Sequence, residues 1–400
     1  MVDMSCLADG LVVPANFEKT GRNLNEIIVG GTGSGKSFSN AYSRLLHTYN
    51  SSVMVTFTKK RIRDIFAKMF EDRGYEVINL NLINPEESDI GYDPFDHIHN
   101  ERDVINFVGQ LLGGERSKTR TGDPDPYWNE SAKSVIGAEI ELERLTAIDK
   151  NRPASFVNVI AMHRSLKVDK DSKTITTNLD YLFERAQKKF PGNQASEMWK
   201  TVQGLAQTTA SCIFSIANNA LDKIFDENVI NIMEREKRIS FKEMGSKKTA
   251  LFILTSPVNK SLQNFVNLIY ADMFKELFET AEKNESGKLD IPVHIICDDF
   301  ACGSKIENFP DYISIFRAAG ISVTLLLQSE TQLESMYGNA EATTIINNCD
   351  TYVYMGGMDI ETCRHISYRI NKPLNKVMSM PLEQVVVFRR GEEPFISRRY

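Results

Sequence analysis

A chain of 400 residues exceeds the usual single-domain size and predicts one large domain with a second lobe. Its 42% hydrophobic fraction supports substantial cores, and no stretch reaches about 18 uninterrupted apolar residues, which excludes a membrane-spanning helix in the sequence given. The formal net charge of −6 carries no global nucleic-acid signature, although a ring or channel can concentrate basic groups on one narrow surface. No signal-peptide pattern opens the sequence, so a cytoplasmic location is expected. The six cysteines lack CxxC spacing and read as reduced, mostly buried thiols. The histidines form no repeated metal-binding pattern, and His97 and His99, in a polar loop, read as exposed or hydrogen-bonded.

In chain order, the apolar residues 26–29 predict a short strand. They lead into Gly30-Gly31-Thr32-Gly33-Ser34-Gly35-Lys36-Ser37, which completes the phosphate-loop pattern G-x-x-x-x-G-K-[ST]. Phe38, Ala41, Leu45 and Leu46 then recur at helical spacing, giving the strand–loop–helix context that the motif requires. Glycines let the backbone wrap a phosphate without β-carbon clashes, and successive amides donate to the anion. Lys36 is placed to meet the β- and γ-phosphates of a nucleotide and the Ser37 hydroxyl to bind Mg2+. A bland glycine-rich turn would explain the flexibility but not the adjoining Lys-Ser.

Residues 53–57 predict a second strand, followed by a basic helix through Met69, a break at Gly74 and a third strand over 77–80. This alternation predicts parallel βαβ units, with residues 1–100 forming the first half of a nucleotide-binding domain. Residues 101–240 change character: helical patterns at 101–112, 131–145, 156–164, 175–190 and 197–219 predict a predominantly α-helical insertion, with a polar loop over 113–126. Strand-like runs return at 249–254, 293–297, 322–327, 351–355 and 384–388, with a helix over 266–283, so 241–400 reads as the second half of the nucleotide-binding domain. Two basic clusters, Lys59-Lys60-Arg61-Ile62-Arg63 and Arg116-Ser117-Lys118-Thr119-Arg120, are candidate nucleic-acid patches or ordinary solvated faces.

His294-Ile295-Ile296-Cys297-Asp298-Asp299 is the second informative run. Apolar residues carry a buried strand, and two acids stand where it leaves the sheet. Asp298 can orient Mg2+ directly or through water, and Asp299 can position or activate the attacking water. The simpler alternative is an acidic strand cap.

Taken together, the sequence resembles the TraG/VirD4-like type IV secretion coupling ATPases. The resemblance rests on the GGTGSGKS loop, Tyr92-Asp93-Pro94-Phe95, Pro126-Tyr127-Trp128, Asp298-Asp299-Phe300-Ala301 and Arg317-Ala318-Ala319-Gly320-Ile321. It continues through Gln328-Ser329 with Gln332-Leu333 and Tyr337-Gly338, then Ile346-Asn347-Asn348-Cys349 and Arg390-Gly391-Glu392-Glu393-Pro394. It implies a RecA-like P-loop NTPase domain with a mainly parallel central sheet and an inserted all-α domain. It also implies ATP and Mg2+ as ligands, Gln328 as a γ-phosphate sensor at a strand end, and Arg317 as an arginine acting across a subunit boundary. From residues alone, Gln328 could instead be a hydrogen-bonding strand end and Arg317 a structural salt-bridge residue. The expected assembly is a homohexamer at the inner face of the cell membrane that recruits DNA, a relaxase or another nucleoprotein substrate to type IV secretion channel components. A separate membrane-anchor partner fits this expectation. Two departures stand out: the family often has Asp-Glu where this chain has Asp298-Asp299, and residues 55–60 lack the common acidic, proline-containing sequence. A soluble DNA translocase outside secretion and a nucleotide-controlled protein-recruitment scaffold are the alternatives.

Overall fold

The computed structural model describes residues 1–113, 126–168 and 175–400. Its centre is a nine-stranded sheet. Strands β3 (Glu26–Val29), β4 (Ser52–Phe57), β5 (Glu76–Asn81), β6 (Thr249–Leu254), β7 (Val293–Cys297), β8 (Ile321–Leu327) and β9 (Thr351–Tyr354) run parallel, and β10 (Gln384–Arg389) and β11 (Phe395–Arg398) add an antiparallel edge. The order across the sheet is β11-β10-β9-β3-β8-β7-β4-β6-β5. A separate N-terminal hairpin pairs β1 (Met4–Ala8) with β2 (Leu11–Pro14).

The inner strands are buried on both faces, which is why they read as continuous apolar runs rather than alternating ones. Alternate residues serve two cores. Ile28, Val53, Val55 and Phe252 pack with Ala41 and Leu45 behind the phosphate loop and with Ile62, Phe66 and Phe70 of helix Arg61–Asp72. Ile27, Val29, Met54 and Ile253 face the other way, onto Phe265, Ile269 and Phe274 of helix Lys260–Lys283 and Phe309 and Phe316 of helix Phe309–Ala319. That second core continues without interruption into the helices between β5 and β6, where Val135, Ile136, Trp199 and Ile213 are buried.

Among the described residues, the chain between β5 and β6 folds into helices Glu101–Gly113, Pro126–Lys150, Phe156–Arg164, Asp180–Lys189, Gln194–Gln203, Gln207–Asp222 and Glu227–Met233, with the short helix Phe241–Met244 leading to β6. The run 197–219 is thus two helices. Gly204, the poorest helix former short of proline, ends the first, and Ala206 is extended before the second begins. The cluster Arg116-Ser117-Lys118-Thr119-Arg120, and nearly all of the loop expected over 113–126, lie outside the described residues.

Four further points differ from the sequence reading. The hairpin β1–β2 and strand β11 had no clear sequence signal. Ser37–Tyr42 forms a π-helical turn, which shifts the helical register and leaves Phe38 72% and Leu46 44% exposed rather than on the buried stripe. Cys212 is exposed and Cys302 half-buried, although all six thiols are free. His97 is buried rather than exposed, stacked on Tyr92 and Phe241 and 3.2 Å from Glu276. Among the described residues, no helix is long and apolar enough to cross a membrane.

Candidate functional site

Three parallel strands deliver the candidate groups to one edge of the sheet. β3 leads into the loop Gly30–Ser37, β7 ends just before Asp298, and β8, which lies between them, ends just before Gln328. Carboxyl ends of parallel strands are where open α/β sheets place their ligands.

The loop is held by its own backbone and by its neighbours. Gly30 N donates to Leu327 O (3.1 Å), Gly31 N to Gly356 O (2.9 Å) and Ser34 N to Gly31 O (3.1 Å). Gly33 and Gly35 take φ of +77° and +82°, a region that favours glycine. A β-carbon on Gly30 would lie 2.6 Å from Ser34 Oγ. Thr32 and Gly33 face solvent, whereas Ser34 and Lys36 are buried. Among the described residues, the Ser34 hydroxyl has no hydrogen-bond partner. Lys36 Nζ donates to Gly30 O (2.5 Å) and Gly31 O (3.2 Å), the carbonyls at the mouth of the loop. Burial lowers the Lys36 pKa, while Asp299 and Asp298 act in the opposite direction.

Ser37 Oγ lies 3.4 and 3.3 Å from the two Asp298 carboxylate oxygens. A hydroxyl and a carboxylate at that separation suit a shared hard cation, which takes oxygen ligands. Burial, then the Asp299 charge, pushes the Asp298 carboxyl up to about 6, opposed by Ser37 and Lys36. A bound cation would reverse that pressure. Asp298 is itself positioned through a residue that sequence reasoning did not single out: its backbone N–H donates to Thr56 Oγ1 (3.1 Å), which also bonds the Tyr270 hydroxyl (2.7 Å). Thr56 is a buried polar residue that interrupts the apolar run from Val53 to Phe57 in strand β4, and that incongruity is the signal that could have found it.

Asp299 adopts the left-handed region at φ +50°. Phe300 N then donates to Leu326 O (3.2 Å) and Cys302 N to Asp299 O (3.0 Å), so the turn after β7 is tied to β8. Gln328 is exposed at the end of β8, its backbone N–H on Gln332 Oε1 (3.4 Å), and Gln332 Nε2 reaches Ala301 O (3.3 Å). Gln332 therefore bridges the ends of β7 and β8.

Arg317 is not brought to this edge. It lies exposed in the last turn of helix Phe309–Ala319, just before β8 begins, at the opposite end of that strand from Gln328. Seven strand residues at about 3.3 Å each separate the two ends by about 23 Å. Of the basic cluster at 59–63, Ile62 is buried and Lys60 is paired with Glu87 at 2.7 Å, as expected of a solvated helix face. Trp128 is half-buried against the core and in edge contact with exposed Tyr127, whereas Trp199 is the fully buried tryptophan.

Comparison with solved structures gives the bacterial conjugative coupling protein TrwB. Its unbound monoclinic form aligns at a TM-score of 0.71 and 17% identity over 100% of this chain and 89% of that one. TrwB in complex with ADP and Mg2+ aligns at 0.67 and 17% over 94% and 85%. VirB4 of Thermoanaerobacter pseudethanolicus aligns at 0.56 and 12% over 98% and 95%. These likenesses establish the RecA-like P-loop NTPase architecture with its inserted helices. Comparison with curated protein sequences gave no match. The model for type IV secretory system conjugative DNA transfer matches residues 10–373, and the chain belongs to that family.

Proposed function

We propose that this chain is the Mg2+-dependent ATPase subunit of a coupling protein, which recruits DNA or a nucleoprotein and drives it toward a type IV secretion channel. The observation that carries the proposal is that Lys36, Ser37 and Asp298 come together where β3 and β7 end, with Gln328 at the end of the intervening β8, in a member of a conjugative DNA transfer family. The Ser34 hydroxyl, orphaned among the described residues, and a loop backbone that Gly33 and Gly35 carry through positive φ fit a polyphosphate. Ser37 and Asp298 supply oxygen donors suited to Mg2+, and TrwB has been crystallised with ADP and Mg2+ and with a non-hydrolysable ATP analogue.

In this reading the loop amides and Lys36 orient the phosphates. When bound, Mg2+ supplies neutralisation of the charge that develops between the β- and γ-phosphates. Asp299 orients the attacking water and takes its proton, and Gln328 donates its amide to the γ-phosphate. Arg317 faces the site of an adjacent subunit in a homohexamer. Its distance from its own phosphate loop and its exposed position in the last turn before β8 support that reading. The helical segment 101–240, though it shares its core with the sheet domain, contacts substrate or partner proteins. DNA contacts are to phosphates rather than base edges.

Phosphate release, measured with and without Mg2+ and with single- and double-stranded DNA over a range of protein concentrations, tests the proposal. Wild type should turn over with Mg2+ and be stimulated by DNA. Lys36→Ala and Asp299→Asn should both be inactive. ATP binding with no wild-type turnover under any of these conditions would sink the motor and leave a nucleotide-controlled scaffold.

A further inference from the structure

The phosphate loop has a second flank. Asp298 and Gln328 approach it from the β8–β7 side, whereas β9, β10 and β11 lie on the other side of β3. Just beyond β11, Arg399 is fixed by its backbone: its N–H donates to Glu383 O (2.8 Å), and the preceding Arg398 O accepts from Asp9 N (2.9 Å). Its side chain turns onto the loop. A β-carbon on Gly35 would lie 2.9 Å from Arg399 Nη1 and 3.8 Å from Ser39 Oγ.

Arg399 Nε and Nη2 are shielded from solvent and have no hydrogen-bond partner among the described residues. Arg390 pairs with Asp350 (3.1 Å), and Arg389, although its Nε is also unpartnered among the described residues, is neutralised by Glu392 at 2.9 Å from Nη1. A half-buried guanidinium with two shielded, unused donors is costly unless an anion meets it, and its planar fork suits phosphate oxygens.

We infer that Arg399 is a nucleotide-phosphate ligand supplied by the same subunit whose loop it touches. This rests on the nucleotide-binding reading above. Because Arg399 stands on the flank away from Asp298 and Gln328, its contact is with the α- and β-phosphates, which ATP and ADP share. The terminal strand thereby becomes part of the nucleotide site in both nucleotide states, while Arg317 serves only the neighbouring site.

Binding of fluorescent ATP and ADP analogues, at a dilution at which the chain sediments as a monomer, tests this. Arg399→Ala should weaken both nucleotides by the same factor, about tenfold or more, as expected for one charge-assisted contact. Arg399→Lys should restore part of the loss, and Arg398→Ala should bind as wild type. The nucleotide-free Arg399→Ala protein should melt at or above the wild-type temperature, because no partner is lost. Unchanged affinity, a loss confined to ATP, or a lowered nucleotide-free melting temperature without a loss of affinity would overturn the inference. Failure of the wild type itself to bind either nucleotide would remove the nucleotide reading and this inference with it, an outcome distinct from failure of Arg399→Ala alone.

Discussion

Arg317 gives the most demanding test of how the site is completed. It stands about 23 Å along β8 from Gln328, well beyond the span of an arginine side chain, so it cannot serve its own phosphate loop without unfolding the strand between them. The perturbation is a pair of variants, each expected to be inactive alone. Lys36→Ala keeps the arginine but loses the loop lysine. Arg317→Ala keeps the loop but withholds the arginine, a change worth on the order of 1,000-fold in turnover where such a residue acts on phosphoryl transfer. Neighbours in a closed ring meet head to tail, so each site draws on one adjacent subunit. In rings assembled at random from equal amounts of the variants, half of the subunits have an intact loop. Half of those sit beside an intact arginine, so about a quarter of the wild-type activity should reappear. The assay is phosphate release as a function of mixing ratio, with subunit exchange followed by fluorescence transfer between labelled chains. A mixture that stays at the level of the separate variants after exchange is complete refutes the assignment in trans, as does an Arg317→Ala protein that is active alone.

Asp298→Asn should still bind nucleotide in chelator but lose the gain in affinity that Mg2+ gives wild type, as read by titration with and without Mg2+. Gly30→Ala forces a β-carbon to 2.6 Å from Ser34 Oγ and 3.0 Å from buried Met355 Cβ, so nucleotide affinity should fall about tenfold or more and the melting temperature should drop with it, the overpacking costing about 1–3 kcal/mol. In the helical segment, His163 Nδ1 lies 3.0 Å from the Glu139 carboxylate and Nε2 lies 3.3 Å from Phe214 O, both deep in the core. Burial lowers the histidine pKa, but the contact with Glu139 outweighs it and the net shift is upward. Glu139 is also shifted upward, by burial, so the pair keeps one shared proton to higher pH than its separated members. Its contribution to stability is therefore full below about pH 6.5, the unfolded histidine value, and lost as pH rises through the folded value. Urea unfolding between pH 6 and 9 should show that decline in wild type, whereas Glu139→Ala should cost about 3–5 kcal/mol at pH 6 and flatten the profile.

Strands buried on both faces announce themselves by composition, so β6 and β7 were legible to the residue, and β4, β8 and β9 to within a residue at their ends. The loop motif was equally legible because its glycines and Lys-Ser answer to one anion, whatever surrounds them. What remained hidden depends on contacts distant in sequence. β11 is a four-residue, partly exposed edge strand whose pairing with β10 and clamp on Asp9 leave no periodic trace. His97 reads as a loop residue until Phe241 and Glu276, more than a hundred positions away, close over it. The same rule governs the site. Asp298 is visible as an acid at a strand end, and Thr56 as a polar residue out of place in β4, but that Thr56 sets the Asp298 backbone is visible only once β4 is known to lie beside β7. Arg399 becomes meaningful only when the last strand is seen to return to the loop that opens the sheet. Residues whose chemistry is local can be read from sequence, whereas those that position them are fixed by strand order. A substitution at Thr56 should therefore act on Asp298 while touching no nucleotide: Thr56→Val removes the acceptor for the Asp298 amide and should lower Mg2+-dependent turnover more than Mg2+-free nucleotide binding, and equal losses in both would show that the hydroxyl serves packing alone.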